Sequence, residues 1–151
     1  MVTGIGISPG TCRQQHPFII LAYGSGAPHM VSLPDPVSVV IHFNQALNAG
    51  NVDAMMQLMT SNSVFENTFP PPDGTRYEGQ AAIRAFWEEF FSNASHAHIE
   101  IEDIFALDQR CVMRWQYHWV AHDGQTGHIR GVDVYTLQDG LIAEKLSYVK
   151  G

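Results

Sequence analysis

The spacing of apolar positions changes once along this chain, near residue 96. Before it, apolar residues recur at helical intervals. Asp35-Pro36 is a helix start, a capping acid followed by proline at the first helical position. Val37, Val40, Ile41, Asn44 and Leu47 share one helical face, and Ala49-Gly50 stops the run. Asn51 caps a second, short helix with Val52, Met55, Met56 and Met59 on one side. Ser63 to Phe69 alternates as a strand does, until Pro70-Pro71-Pro72-Asp73-Gly74 ends it. After Gly79 an aromatic stripe of Ile83, Phe86, Trp87, Phe90 and Phe91 predicts a third helix, suited to plug the mouth of a curved sheet.

From His96 onward the period is two. Strands are expected over 96–107, 110–121, 129–137 and 141–149. Their connections at Asp108-Gln109, Asp123 to Gly127 and Asp139-Gly140 are short enough for consecutive hairpins. Helices followed by a meander imply an α+β fold, with about three N-terminal helices on one face of a strongly bent antiparallel sheet. Residues 1–31 lack this periodicity and are rich in Gly, Pro and Ser. They are expected to form a flexible or loosely docked extension, with the folded domain spanning 32–151 and Met30 near its true start. Within the extension, Phe18 to Tyr23 suits an edge strand; it is too short, and Arg13 too weak a leading charge, for a secretory signal.

Composition narrows the class further. A chain of 151 residues is most simply one domain with a sizeable core. The 45% apolar and 15% charged content fits a globular protein and excludes general disorder. A net charge of -7 argues against nucleic acid and anionic membrane as partners. Cys12 and Cys111 match no metal or redox spacing, so a reduced, cytoplasmic protein is expected.

The main chemical anomaly is Asp133, set between Val132 and Val134 inside a strand. Strand interiors disfavour Asp, so a partner must hold it or a reaction must use it. If its face points inward, it sits with Ile129, Gly131, Tyr135 and Leu137. A carboxylate there loses water, which suits proton transfer near neutrality, and Gly131 leaves room for a ligand. The alternative is a structural Asp bonded to a helix end, to Arg130 or to Lys145. Asn67 is suited to hold a substrate carbonyl or a water, and equally to stabilise the turn into the proline run. On the third strand, alternation separates Met113, Trp115, Tyr117 and Trp119 (inward) from Arg114, Gln116 and His118 (outward). His118 is then a surface or interface residue, although a one-residue slip would make it a second acid/base group. His96, His98, His118, His122 and His128 form no familiar metal-site spacing, so no metal is expected. No Gly-rich phosphate loop follows a strand, and no cofactor is expected.

The two helices joined by NAGN, the strand segment FEN, the GQAAIRAFW helix and the closing RGVDVYTLQDGLIAEK together resemble SnoaL-like proteins of the nuclear-transport-factor-2-like superfamily. The resemblance runs from about Pro34 to Gly151 and implies a cone-shaped roll with a central pocket, often in a homodimer. It places Asp133 where cyclases of this type carry their acid/base Asp. Steroid isomerases have a basic Asp where this chain has Asn67 and a donor Tyr where it has Phe43, so the resemblance argues against that reaction. Epoxide hydrolases share an Asn at the position of Asn67, but Ser147 stands in place of their last-strand Asp, and Arg114-Trp115-Gln116 in place of an Arg-x-Asp. The expectation is a cofactor-independent enzyme of isomerase or lyase type. Asp133 would transfer the proton and Asn67 would position a small, apolar carbonyl compound between Phe43, Phe65, Phe86, Trp115, Tyr117 and Tyr135. The alternative is a pocket that binds without turnover, or a dimer that docks another protein. In either case the outer sheet face is the expected homodimer surface.

Overall fold

The computed structural model describes residues 18–19, 31–93, 97–120 and 124–150. The chain divides after Leu33 into two units, against an expected boundary after residue 31. In the first unit, Phe18–Ile19 (β1) pairs antiparallel with Val31–Ser32 (β2). Otherwise the expectation of a loose extension lies outside the described residues.

The second unit begins with the two helices that the caps predict. Asp35 accepts the Ser38 N–H at 3.1 Å, and Pro36 opens α1 (Pro36–Asn48); the carboxylate satisfies an amide that a first turn leaves unpaired. Asn51 does the same for α2 (Val52–Gln57), accepting from Ala54 at 3.0 Å. The inner face of α1 buries Val39, Val40, Phe43 and Leu47. Each such side chain contributes about 1.5–3 kcal/mol by leaving water.

Strand β3 begins at Met59 rather than Ser63 and stops at Glu66 rather than Phe69. Its start is hidden because Thr60, Ser61 and Asn62 interrupt the apolar alternation where its pairing is irregular. After β4 (Arg76–Glu78) comes α3 (Gln80–Asn93), then the meander of β5 (Ala97–Leu107), β6 (Arg110–Val120), β7 (Thr126–Gln138) and β8 (Leu141–Val149). The six strands run in the order β4-β3-β8-β7-β6-β5, in a curved sheet that does not close. The expected all-antiparallel sheet is in fact mixed, because β3 and β8 are parallel. The long path between them, through α3 and three hairpin strands, permits a junction that no tight turn could make. Helix α1 packs on β5, β6 and β8, while α2 and α3 pack on β3.

The turn at Asp139-Gly140 is as expected, with φ of 52° and 79°, the left-handed pair that suits a two-residue hairpin. Met113 and Trp115 face the helices and are buried, so β6 keeps the predicted register. One expectation fails: Gly131 leaves no room for a ligand. A Cβ there would lie 2.3 Å from Trp115 Cζ2 and 2.3 Å from the Tyr148 carbonyl oxygen. The missing side chain instead lets the Trp115 indole lie against the strand.

Candidate functional site

Strands β7 and β8 build the polar centre, and a bulge decides which residues meet. At the turn, Gln138 pairs with Leu141. Continued without interruption, that register would put Asp133 opposite Leu146 and Lys145 opposite Val134, on the outer face. The register shifts between Thr136 and Leu137, so Asp133 faces Ser147 and Lys145 faces Tyr135. One extra residue therefore turns the lysine inward.

The result is a compact network. Lys145 Nζ lies 2.7 Å from Asp133 Oδ2 and donates to Ser147 Oγ at 2.7 Å. The Tyr135 hydroxyl donates to the same Asp133 oxygen at 3.1 Å. The ion-paired side chains are only 5% (Lys145) and 1% (Asp133) exposed, a setting in which attraction must offset a large loss of hydration. Lys145 Nζ also stands 5.0 Å from the Phe65 ring centre and 5.7 Å from that of Tyr135. Burial, then the charge and hydrogen bond of Asp133, push the Tyr135 phenol well above its ordinary value. Tyr135 thus remains a proton-bearing donor across the physiological range. Asp133 Oδ2 has two donors, whereas Oδ1 is buried and has no hydrogen-bond partner among the described residues.

Asp133, Lys145 and Ser147 border an open cavity of about 310 Å³. Phe65, Phe86, Trp87, Trp115 and Tyr117 form its apolar walls, and Asp133, Lys145 and Ser147 its polar end. Phe65 stacks on Trp87 at 5.3 Å, which joins the β3 wall to the α3 wall. The indole N–H groups of Trp87 and Trp115 are buried without acceptors among the described residues. A volume of this size, mostly apolar with a few polar groups, suits a small organic molecule.

The structure brings some expected site residues together and separates others. Asp133, Phe65, Phe86, Trp115 and Tyr117 line the cavity. Phe43 and Tyr135 lie in the solid core behind it, edge to face at 6.3 Å. Asn67 borders the cavity, but its Oδ1 accepts the Phe69 and Thr75 N–H groups at 3.2 and 2.8 Å and so closes the proline turn. Gly74 is required there, because a Cβ would fall 1.9 Å from the Asn67 carbonyl oxygen. His118 lies across the sheet from Asp133, on the outer face, 3.7 Å from Glu100 and with its ring 6.0 Å from that of His128. Sequence reasoning treated Lys145 only as a structural partner of Asp133, and gave Ser147 and Trp87 no part in the site.

Comparison with known proteins agrees with this architecture. The family model of the SnoaL-like domain matches residues 40–145. A nuclear-transport-factor-2-like protein of unknown function from Mesorhizobium loti is 31% identical, with a TM-score of 0.65 over 78% of this chain and 97% of that one. A putative polyketide cyclase from Xanthomonas campestris pv. campestris is 23% identical, with a TM-score of 0.64 over 76% and 90% of the two chains. SalBIII, an epoxide hydrolase/cyclase-like enzyme of pyran ring formation in the polyether salinomycin, is 21% identical, with a TM-score of 0.66 over 76% and 90%. At those identities the last two are evidence of shared fold alone. No match is found among curated proteins.

Proposed function

The chain belongs to the SnoaL-like family, and from that premise we propose that it is a small-molecule pocket protein in which Asp133 moves a proton on an apolar carbonyl compound. The observation that carries this reading is the asymmetry of Asp133. Lys145 and Tyr135 fix one oxygen, while the other is buried without a hydrogen-bond partner among the described residues, on a residue that lines an aromatic cavity. A carboxylate held in this way is oriented as a base, with its charge balanced by the neighbouring ammonium. Oδ1 would take a proton from the carbon next to the carbonyl and return it elsewhere on the substrate. Cyclisation, isomerisation and dehydration all share that step. The unpaired indole N–H groups of Trp87 and Trp115 offer donors for the substrate oxygens.

The test is solvent deuterium exchange at the α-carbon of small aryl ketones and cyclic 1,3-diketones, followed by NMR. The wild-type chain is expected to accelerate exchange for some of them, and Asp133→Asn to abolish the acceleration while still binding. Equal exchange by both proteins would remove Asp133 from the chemistry. A second reading, a binding pocket without turnover, draws on the Lys145–Asp133 pair at 2.7 Å, since a structural ion pair has the same geometry. Under that reading neither protein accelerates exchange.

A further inference from the structure

We propose that Lys145 is itself a reactive group of this cavity, an amine that forms an imine with an aldehyde or ketone. The inference rests on the reading of the cavity as a carbonyl-compound site and adds a covalent step to it. Lysine is almost never fully buried, yet Lys145 is, and it lines the cavity together with Asp133, Ser147 and Phe65 beside its nitrogen, while Tyr135 lies in the core behind. For a purely structural partner of Asp133, arginine would serve better, because its planar fork grips a carboxylate at two points and never loses its proton. The chain contains six arginines and only two lysines, Lys145 and Lys150. Among the described residues, the Lys or Arg ion pairs outside the cavity, Arg76–Glu78, Arg84–Asp53 and Glu102 with Arg114 and Arg130, use arginine. Unlike an arginine, the lysine at the cavity can become a nucleophile.

The neighbours supply the proton movements that imine formation needs. Passage of a proton along the 2.7 Å contact from Nζ to Asp133 Oδ2 gives a neutral amine beside a neutral acid, without changing the net charge of an apolar site. The nitrogen lone pair then attacks the carbonyl carbon. The carbonyl oxygen takes the Asp133 proton, the nitrogen returns one to Asp133, and a carbinolamine results. On cleavage of the C–O bond, Asp133 gives its proton to the departing hydroxyl, so one water leaves and a C=N bond replaces the C=O. No oxidant or reductant takes part. Tyr135 and Ser147 hold their partners in place throughout. The nitrogen keeps its last proton, so the product is a protonated imine beside the Asp133 carboxylate, and it draws electrons from the adjacent C–H bond more strongly than a ketone does. This makes the abstraction assigned to Asp133 easier.

The experiment uses benzaldehyde as probe and sodium borohydride as trap on the full chain, read by intact mass and peptide mapping. Lys150, which is exposed, is the internal control. The expected result is a gain equal to the probe less its oxygen, with about tenfold more label on Lys145 than on Lys150, as an amine held at the cavity beside its own proton acceptor should show. Lys145→Arg should lose that label and Lys150→Arg should keep it. If Lys145→Arg does not fold by circular dichroism, the two lysines of the wild-type chain still decide the matter. Label on Lys150 equal to that on Lys145 overturns the proposal. Saturable quenching of tryptophan fluorescence by benzaldehyde, with no label on Lys145, also overturns it but leaves the cavity reading standing. Neither quenching nor label overturns both.

Discussion

Replacing Lys145 by methionine keeps an unbranched side chain, one atom shorter, and removes the charge and hydrogen bonds of the ammonium. Asp133, 1% exposed, is then left without its cation, and the Tyr135 hydrogen bond alone cannot compensate. Breaking a buried pair in this way costs about 3–5 kcal/mol. The surface pair Arg84–Asp53, with side chains 38% and 80% exposed, sets the scale for the opposite case, in which loss of one partner costs roughly 0–1 kcal/mol. The double variant Lys145→Met/Asp133→Asn removes both charges and should cost only about 1–2 kcal/mol, for the polar groups left imperfectly paired. The two substitutions should therefore couple, each single change costing more alone than in the presence of the other. Urea unfolding at neutral pH, with slopes compared across the four proteins of the cycle, measures this. If Lys145→Met lies within about 1 kcal/mol of wild type, the pair does not act as a desolvated unit, and the account of the site collapses with it.

Three further outcomes follow from local geometry. Gly131→Ala drives a Cβ into Trp115 and the Tyr148 carbonyl, both at 2.3 Å, and should destabilise by about 1–3 kcal/mol in a thermal melt; an unchanged midpoint would show that the indole moves aside freely. Asn67→Ala loses two accepted hydrogen bonds and should destabilise by about 1–2 kcal/mol, whereas Asn67→Asp keeps the acceptor and should stay near wild type if the residue serves the turn. Burial, then the charge of Asp35, push the Cys111 thiol from 9.0 to about 11. A raised value favours the protonated form in the folded state, so this stability is present below pH 9 and fades as pH rises toward 11. In a Cys12→Ser background, Cys111 should resist alkylation until the chain is unfolded, and Cys111→Ala should flatten the alkaline fall in stability.

Much of this fold was legible because its signals are local. Asp35-Pro36 and Asn51 cap the helices that they predict, and Asp139-Gly140 forms the expected turn. The alternation along β6 likewise gives its inner and outer faces, including the outward position of His118. The parallel junction of β3 with β8 was not legible, since nothing in either strand records which distant strand it will meet. The cavity was legible only in part. Asp133 announced itself as a charge in an apolar strand. Lys145 did not, because a bulge between Thr136 and Leu137 decides which way it points, and such a bulge follows from packing of the whole sheet rather than from the residues at that spot. Gly131 shows the same limit: its smallness was evident, but whether an indole or a ligand would use the space depended on the strand beside it.

The claim on which the rest depends is that Asp133 Oδ1 is reserved for a ligand. A crystal structure of the chain soaked with a cyclic 1,3-diketone tests it most directly. The account predicts the diketone between Phe65, Trp87 and Trp115, with its acidic carbon or enol oxygen about 3 Å from Oδ1 and Lys145 still on Oδ2. A diketone bound elsewhere, or an Oδ1 already tied to a group of the protein, would contradict it.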